Sequence, residues 1–307
     1  MRQPRLVRVN EHYKPCAMIE IAVLTPAADD GTYGPHWPQV MERLAAALSM
    51  ADLTVRPMAW PDHVEDPSEL VEFPLVLPLL AWGYHQHHAR WLQATRAWAE
   101  AGVRIANAAS VLAWNSDKTY LARFEQRGVA VPPTRWSSGV TAAEIEAAFD
   151  GFGTDTLIVK PTVSGGAWKT QKITRGARLV DAPEGSAMIQ PFLPDLATAG
   201  ELSLLFFGGR LSHAVLKTAA PGDFRIQSQF GGRYRTVAEP PAAALDLAAR
   251  VLDIVEEDLL YARIDMVEHE GRWLLMEAEL IEPDFYLSEA PDAGRLFAES
   301  AAALVVG

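Results

Sequence analysis

The chain of 307 residues holds a single cysteine, Cys16, so it forms no internal disulfide, and without a second thiol a zinc knuckle is excluded as well. It is also short of basic charge: 27 Lys plus Arg against 39 Asp plus Glu leave a net −12. A general nucleic-acid or anionic-membrane surface needs a net basic face, so neither partner is expected. No run approaches the roughly 18 apolar residues that span a bilayer, and the N-terminus lacks the short apolar block of a secretory signal. The chain therefore reads as soluble and cytoplasmic. It has no GxSxG elbow and no Walker GxxxxGK[ST] pattern, which argues against a serine hydrolase and against a P-loop enzyme.

What is present supports a large core. The sequence is 49% hydrophobic and 21% charged, and its length exceeds what one compact core usually organises, so two or three subdomains are expected. Residues 1–17 carry Arg2, Arg5, Arg8 and Lys14 against Glu11 and read as an arm or an upstream extension. From Met18 short apolar runs alternate with amphipathic stretches: MIEIAVLTP, VMERLAAALSMA, LTVRPMAW, then VEFPLVLPLL and VRIAN as strands around the helix HARWLQATRAWAEAG. Strand, helix, strand predicts an α/β unit with a mainly parallel sheet.

A second region opens with a predicted helix SDKTYLARFEQRG, capped by Ser116 and ended by Gly128, the stretch from Asn107 to Asn115 serving as a connection. Thr141 and Glu144 have capping-box spacing. The texture then turns to strands: TLIVKPT, TQKIT, AMIQPFL, and ELSLLFFGGRLSHAVLK with a hairpin at Gly208-Gly209. A helix is expected from Ala242 to Asp258, a second hairpin at Glu270-Gly271, and a C-terminal helix over AGRLFAESAAALVV. The fold class is α/β, turning α+β in the C-terminal region.

Chemistry concentrates at the end of this series. Asp265 faces Glu277 and Glu279 on its hairpin partner, and residues two apart on a strand share a face. Three carboxylates gathered there repel unless a cation sits among them, and hard oxygen ligands suit Mg²⁺ holding nucleotide phosphates; an ordinary solvated sheet face is the other reading. Lys118 in WNSDK and Lys160 at the end of LIVK are the second constellation. Lys160 precedes a small-residue loop, Ser164, Gly165, Gly166 and Ala167, whose backbone can approach phosphates closely. Tyr84 and His85 are expected to line the cleft at the end of the VEFPLVLPLL strand, where open parallel sheets bind ligands, or else to be surface residues at a helix start. The run His85, His87, His88 has no paired acid or cysteine at zinc-site spacing. Trp91 and Trp98, two turns apart, are expected in the core, while Trp168 is a candidate to lie over a bound nucleotide.

In order and kind these elements resemble the ATP-grasp superfamily of ligases, in the branch around glutathione synthetase and D-alanine:D-alanine ligase, over about Asn107 to Glu282. The strings EAELIEP, AWGYHQHHARWL, AWNSDKTYL and PPTRW further resemble the bacterial subgroup containing the cyclo-ligase that forms D-cycloserine, with Gly83 where that subgroup tends to carry Asp. The resemblance implies an N-terminal substrate lobe over 18–107 and an ATP-grasp region over 108–307, divided into a central lobe (108–189) and a C-terminal lobe (190–307). It implies that Lys118, Lys160 and the loop Ser164 to Ala167 contact ATP phosphates. The backbone of Gln190, Phe192 and Leu193 would read adenine, with Leu193 supplying the donor that Pro191 lacks, and Glu201 would hold the ribose. Lys217 would contact phosphate, Arg225 and Arg263 would steady an acyl phosphate and its tetrahedral adduct, and Asp265, Glu277 and Glu279 would ligate two Mg²⁺ ions.

The activity so implied is ATP-dependent joining of the carboxyl of an amino-acid-like small molecule to an amine; relatives are often dimers or tetramers, and a homodimer is one assembly open to this chain. Alternatives at this level are intramolecular cyclisation of an O-ureido-serine type substrate, a kinase releasing a phosphorylated acid, and a nucleotide-binding protein that has lost catalysis. Intact Lys160, Arg263, Asp265 and Glu277 argue against the last.

Overall fold

The computed structural model describes residues 18–220, 226 and 231–306. The basic arm of residues 1–17 and Arg225 lie outside the described residues.

The N-terminal region is a three-stranded parallel sheet of β1 (Ile19–Thr25), β2 (Leu53–Ala59) and the two-residue β3 (Val76–Leu77), in the order β2-β1-β3. Helix α1 (Trp37–Ser49) covers one face, and the short α2 (Ser68–Val71) precedes β3. Helix α3 (His88–Ala101) covers the other face and stops at Gly102, which takes the left-handed conformation (φ 76°) that favours glycine. Trp91 and Trp98 are fully buried here and stack edge-on at 5.5 Å, as their spacing predicts. The apolar run VEFPLVLPLL is mostly not strand. Pro74 and Pro78 bracket it, and proline cannot donate to a ladder, so pairing survives only at Val76 and Leu77. VRIAN contributes a single bridge, Val76 to Ile105.

The expected connection after Asn107 is instead a helix, α4 (Ala109–Asn115). Ser116 does not cap the next helix: its hydroxyl donates back to the Ala113 carbonyl (2.6 Å), closing α4, and α5 begins only later (Tyr120–Gln126). Asn107 and Asn115 explain why this segment is held so firmly. The Asn107 side chain donates to the Tyr261 and Leu280 carbonyls (3.0 and 2.8 Å) and accepts from the Leu260 amide (2.8 Å). Asn115 donates to the Ala278 carbonyl (2.8 Å) and accepts from the Leu280 amide (2.9 Å). Both therefore fix the strand that carries the acidic residues.

A four-stranded antiparallel sheet follows, with β4 (Arg135–Ser137), β5 (Thr156–Pro161), β6 (Gln171–Thr174) and β7 (Ala187–Pro191) in the order β4-β7-β5-β6. Helix α6 (Ala142–Phe152) starts with the capping box expected at Thr141 and Glu144 and packs Ile145 and Phe149 on Leu157 and Val159. By strand alternation Ile158 and Lys160 project from the opposite face.

After α7 (Pro194–Thr198), a five-stranded antiparallel sheet is built from β8 (Glu201–Phe207), β9 (Arg210–Thr218), β10 (Arg233–Thr236), β11 (Tyr261–His269) and β12 (Arg272–Glu279), in the order β10-β9-β8-β11-β12. Both predicted hairpins are present, with positive φ at Gly208-Gly209 and at Glu270-Gly271. Helix α8 (Ala242–Ile254) is four residues shorter than expected and buries Leu247 and Val251 against Leu204 and Ile264 on one sheet face. The C-terminal α9 (Arg295–Val306) returns to α1 beside the N-terminal sheet, with Phe297 in the same core as Leu44. No helix among the described residues is long and apolar enough to cross a membrane.

Candidate active site

The second face of the five-stranded sheet carries the charge. Across β11 and β12, Asp265 stands opposite Glu277 and Arg263 opposite Glu279; Ser203 lies across from Asp265 on β8, and Glu201 is opposite Lys217 on β9. All sit at alternating positions and so share one face. A register shift after Asp265 absorbs Met276 as an extra residue, which sets the Glu277 and Glu279 side chains on the Asp265 face.

This face and the Lys160 face of the four-stranded sheet enclose a cleft of about 220 Å³. Lys118, Lys160, Ser164, Gly165, Gly166, Ala167, Gln190, Phe192, Leu193, Glu201, Lys217, Arg263, Asp265, Glu277 and Glu279 all line it. Sequence reasoning missed Tyr234 and Tyr286 in the same wall. Tyr286 lies 5.5 Å from the Arg263 guanidinium and 5.9 Å from the Lys217 ammonium, measured to the ring centre. Its place in the sequence, seven residues past the last strand, gave no signal beyond an aromatic in a loop.

Three of the four cations are paired. Lys118 Nζ is 2.8 Å from Glu277 Oε1 and donates to the Ser164 carbonyl at 2.8 Å. Lys217 Nζ is 2.5 Å from Glu201 Oε1 and 3.2 Å from Asp265 Oδ2. Arg263 grips Asp265 through Nε (3.1 Å to each oxygen) and a terminal nitrogen (3.0 Å), donates to the Asp284 carbonyl, and touches Glu279. Among the described residues Lys160 makes no ion pair.

The titration of these groups follows. Desolvation works against the Asp265 carboxylate, but Arg263, Lys217 and the Ser203 hydroxyl (2.5 Å) overcome it and hold the group at about 2. Desolvation is likewise outweighed at Glu277, which Lys118 holds below the usual carboxylate range. Glu279 goes the other way: desolvation, with Glu277 and Asp265 adding repulsion, lifts it to about 7 despite Arg263. Burial lowers Lys160, the Glu277 charge only partly opposing it.

Among the described residues, no three His, Cys, Asp or Glu side chains stand together as a ready metal cage; the carboxylates are turned toward their cationic neighbours. The donor set still fits a hard divalent ion. It is all oxygen, with Glu279 Oε2 buried in an ion pair with Arg263 that a metal ion would have to share.

Tyr84, expected in a cleft at the end of the VEFPLVLPLL segment or on the surface, is buried, its ring against Trp91 at 4.9 Å. The Phe192 amide donates to the Thr156 carbonyl (3.0 Å) and is not free to read a base. The Gln190 side chain, which the expected backbone contact does not involve, donates to the Thr134 hydroxyl (2.8 Å). His85, in the turn after Leu80, is buried beneath the glycine loop rather than set in the cleft wall, and Trp168 packs beside it, the rings 5.5 Å apart.

Residues 21–107 match the family described as the N-terminal domain of D-cycloserine synthetase DcsG. The cycloserine biosynthesis protein DcsG of Streptomyces lavendulae is 27% identical over 281 residues, covering 85% of this chain and 92% of that protein. The crystal structure of D-cycloserine synthetase DcsG superposes with a TM-score of 0.77 at 22% identity, covering 93% of this chain and 99% of that one. The D-alanine–D-alanine ligase of Bacillus anthracis, in complex with ATP, superposes at 0.65 and 15% identity over 94% and 97%. The chain thus has the fold of these ligases and is similar in sequence to DcsG along most of its length.

Proposed function

We propose that the protein is an ATP-dependent carboxylate–amine ligase acting on an amino-acid-like small molecule in the cytoplasm. The observation that carries this reading is the cleft itself. The cleft brings four carboxylates and four cations together beneath a glycine-rich loop, with one cation, Lys160, making no ion pair among the described residues. A site built only for stability would pair every buried charge.

Joining a carboxylate to an amine in water is uphill, so the carboxyl oxygen must first become a leaving group. The γ-phosphoryl of ATP passes to that oxygen, giving ADP and an acyl phosphate; the amine then attacks the acyl carbon, phosphate leaves, and the amine gives up a proton. No protein nucleophile is needed. Lys118, Lys160 and Lys217 are placed to neutralise charge on the transferring group, the dominant work in phosphoryl transfer. Arg263, held in orientation by Asp265 and the Asp284 carbonyl, presents a fixed guanidinium to developing oxyanions. Asp265, Glu277 and Glu279 would hold Mg²⁺, which when bound supplies further charge stabilisation at the phosphates. Leu193 and Gln190 would border the base and Glu201 the ribose.

The test is ADP release with Mg²⁺ and ATP over a panel of D- and L-amino acids and their O-substituted derivatives. Acid-dependent ADP is expected, and the product's mass distinguishes joining of two molecules from ring closure within one. A folded protein that neither binds ATP nor releases ADP with any member of the panel overturns the reading.

A further inference from the structure

The glycine-rich loop rests on a side chain of the other lobe. A Cβ placed on Gly165 would lie 3.2 Å from His85 Nδ1 and 3.4 Å from Cε1, so the loop backbone and the imidazole are already in contact. Gly165 has no positive φ, so its backbone would accept alanine. Its missing side chain is needed to admit the imidazole, not to make a turn. On the far side of the loop Trp168 packs its ring beside His85, the centroids 5.5 Å apart. The other end is tied down where Lys118 donates to the Ser164 carbonyl. Ala167 and Lys169 both adopt positive φ (64° and 52°), unfavourable for residues with a Cβ, so contacts outside the loop must hold its shape.

The seat itself is firm. His85 is buried, packs edge-on against Tyr84 (6.0 Å), and sets Nε2 3.5 Å from the Tyr33 hydroxyl. Tyr33 is fixed in turn by the Asp30 carboxylate, which accepts its amide (2.8 Å), and by Gln86. All of these belong to the N-terminal lobe, whereas the loop joins two strands of the nucleotide-facing sheet.

We propose that His85 is a positioning residue that seats the Ser164 to Ala167 loop, so that the substrate-side lobe sets when the nucleotide site is covered. Its consequence for catalysis rests on the ligase reading. A seated loop excludes water from the phosphoryl group, and an unseated one lets the acyl phosphate or ATP be lost to hydrolysis. His85 touches neither reactant and acts through the loop.

Hydrogen exchange of the peptide spanning residues 162–170 tests the seat directly, with and without Mg²⁺ and the non-hydrolysable analogue AMPPNP. His85→Ala should speed exchange in this peptide at least tenfold in both conditions, and His85→Phe, which keeps a ring in place, should stay within threefold of wild type. Gly165→Ala pushes on the same contact from the loop side and should also speed exchange, while His85→Ala/Gly165→Ala should be no faster than the faster single variant. With the best acid from the amino-acid panel, His85→Ala should raise the ratio of ADP released to product formed at least tenfold, with AMPPNP affinity within threefold. Unchanged exchange in His85→Ala, or a double variant whose acceleration is the product of the two single effects, overturns the seat. Failure of wild type to bind AMPPNP would instead sink the ligase reading, and the nucleotide-free exchange would still decide the seat.

Discussion

Lys118 Nζ lies 2.8 Å from Glu277 Oε1, and the same ammonium holds the Ser164 carbonyl, so one buried cation links the acidic strand β12 to the loop above the cleft. Glu277→Gln keeps the volume and removes the charge that balances Lys118 and, in the proposed chemistry, a metal ligand. Turnover should fall at least about a hundredfold, the scale of a lost electrostatic contact in the transition state, while the circular-dichroism spectrum is unchanged. Near-normal ADP release from the folded variant would sink the metal assignment.

Lys160 presents the opposite arrangement. It is the cation of the cleft without an ion pair among the described residues, and burial lowers its pKa. A group kept for stability would not be left so, because an unpaired buried charge costs free energy. Lys160→Met should therefore leave thermal stability equal or higher while weakening nucleotide binding at least tenfold, about 1.4 kcal/mol, and equally for every acid tested. Titration calorimetry with ATP analogues and a thermal melt measure the two. Lost stability with retained affinity would show Lys160 to be structural.

Much of the site was legible because it is carried by strand alternation. The two-residue spacing puts Arg263 with Asp265 on one face of β11 and Glu277 with Glu279 on one face of β12, while the hairpin at Glu270-Gly271 alone would set the two pairs on opposite faces. Sequence could not show that Glu279 lies across from Arg263 rather than Asp265, since the extra residue at Met276 shifts the register and no local motif marks it. VEFPLVLPLL misled for a similar reason. Its apolar content was read as strand length, while Pro74 and Pro78 confine pairing to Val76 and Leu77. Tyr84 and His85 are adjacent and both buried, yet one packs into the lobe's core and the other under the loop, a distinction made only by tertiary packing.

Asn107 gives a prediction about stability. It is 1% exposed and satisfies backbone groups at Leu260, Tyr261 and Leu280. Asn107→Ala strands several buried polar groups at once, each worth about 1 to 3 kcal/mol when unsatisfied. Unfolding in urea should show a loss of about 3 kcal/mol or more, and Asn107→Asp should be no better, because it removes the donor that both carbonyls use and adds a buried charge. A loss under about 1 kcal/mol would mean that this clamp contributes little.

His85 makes stability depend on pH in a direction that can be assigned. Burial, with Lys118 and His87 adding repulsion, lowers its pKa from 6.5 to about 4. Between those values the unfolded chain binds the proton and the folded chain does not, so His85 contributes stability that is fully present above pH 6.5 and is lost as pH falls toward 4. From pH 7.5 to 5 the loss attributable to this residue should be about 1 to 2 kcal/mol, allowing 1.36 kcal/mol for each pH unit below 6.5 and some solvent access. Glu279 and Glu282, lifted to about 7 and about 8 by desolvation, act with the opposite sign, being stabilising when protonated and less so as pH rises. They are common to wild type and His85→Phe, so their effect cancels in the comparison. Urea unfolding of both proteins at pH 7.5 and pH 5 should show wild type losing more stability than His85→Phe on acidification. Equal losses would show that His85 is protonated in the folded protein at pH 5 and is not desolvated beneath Gly165.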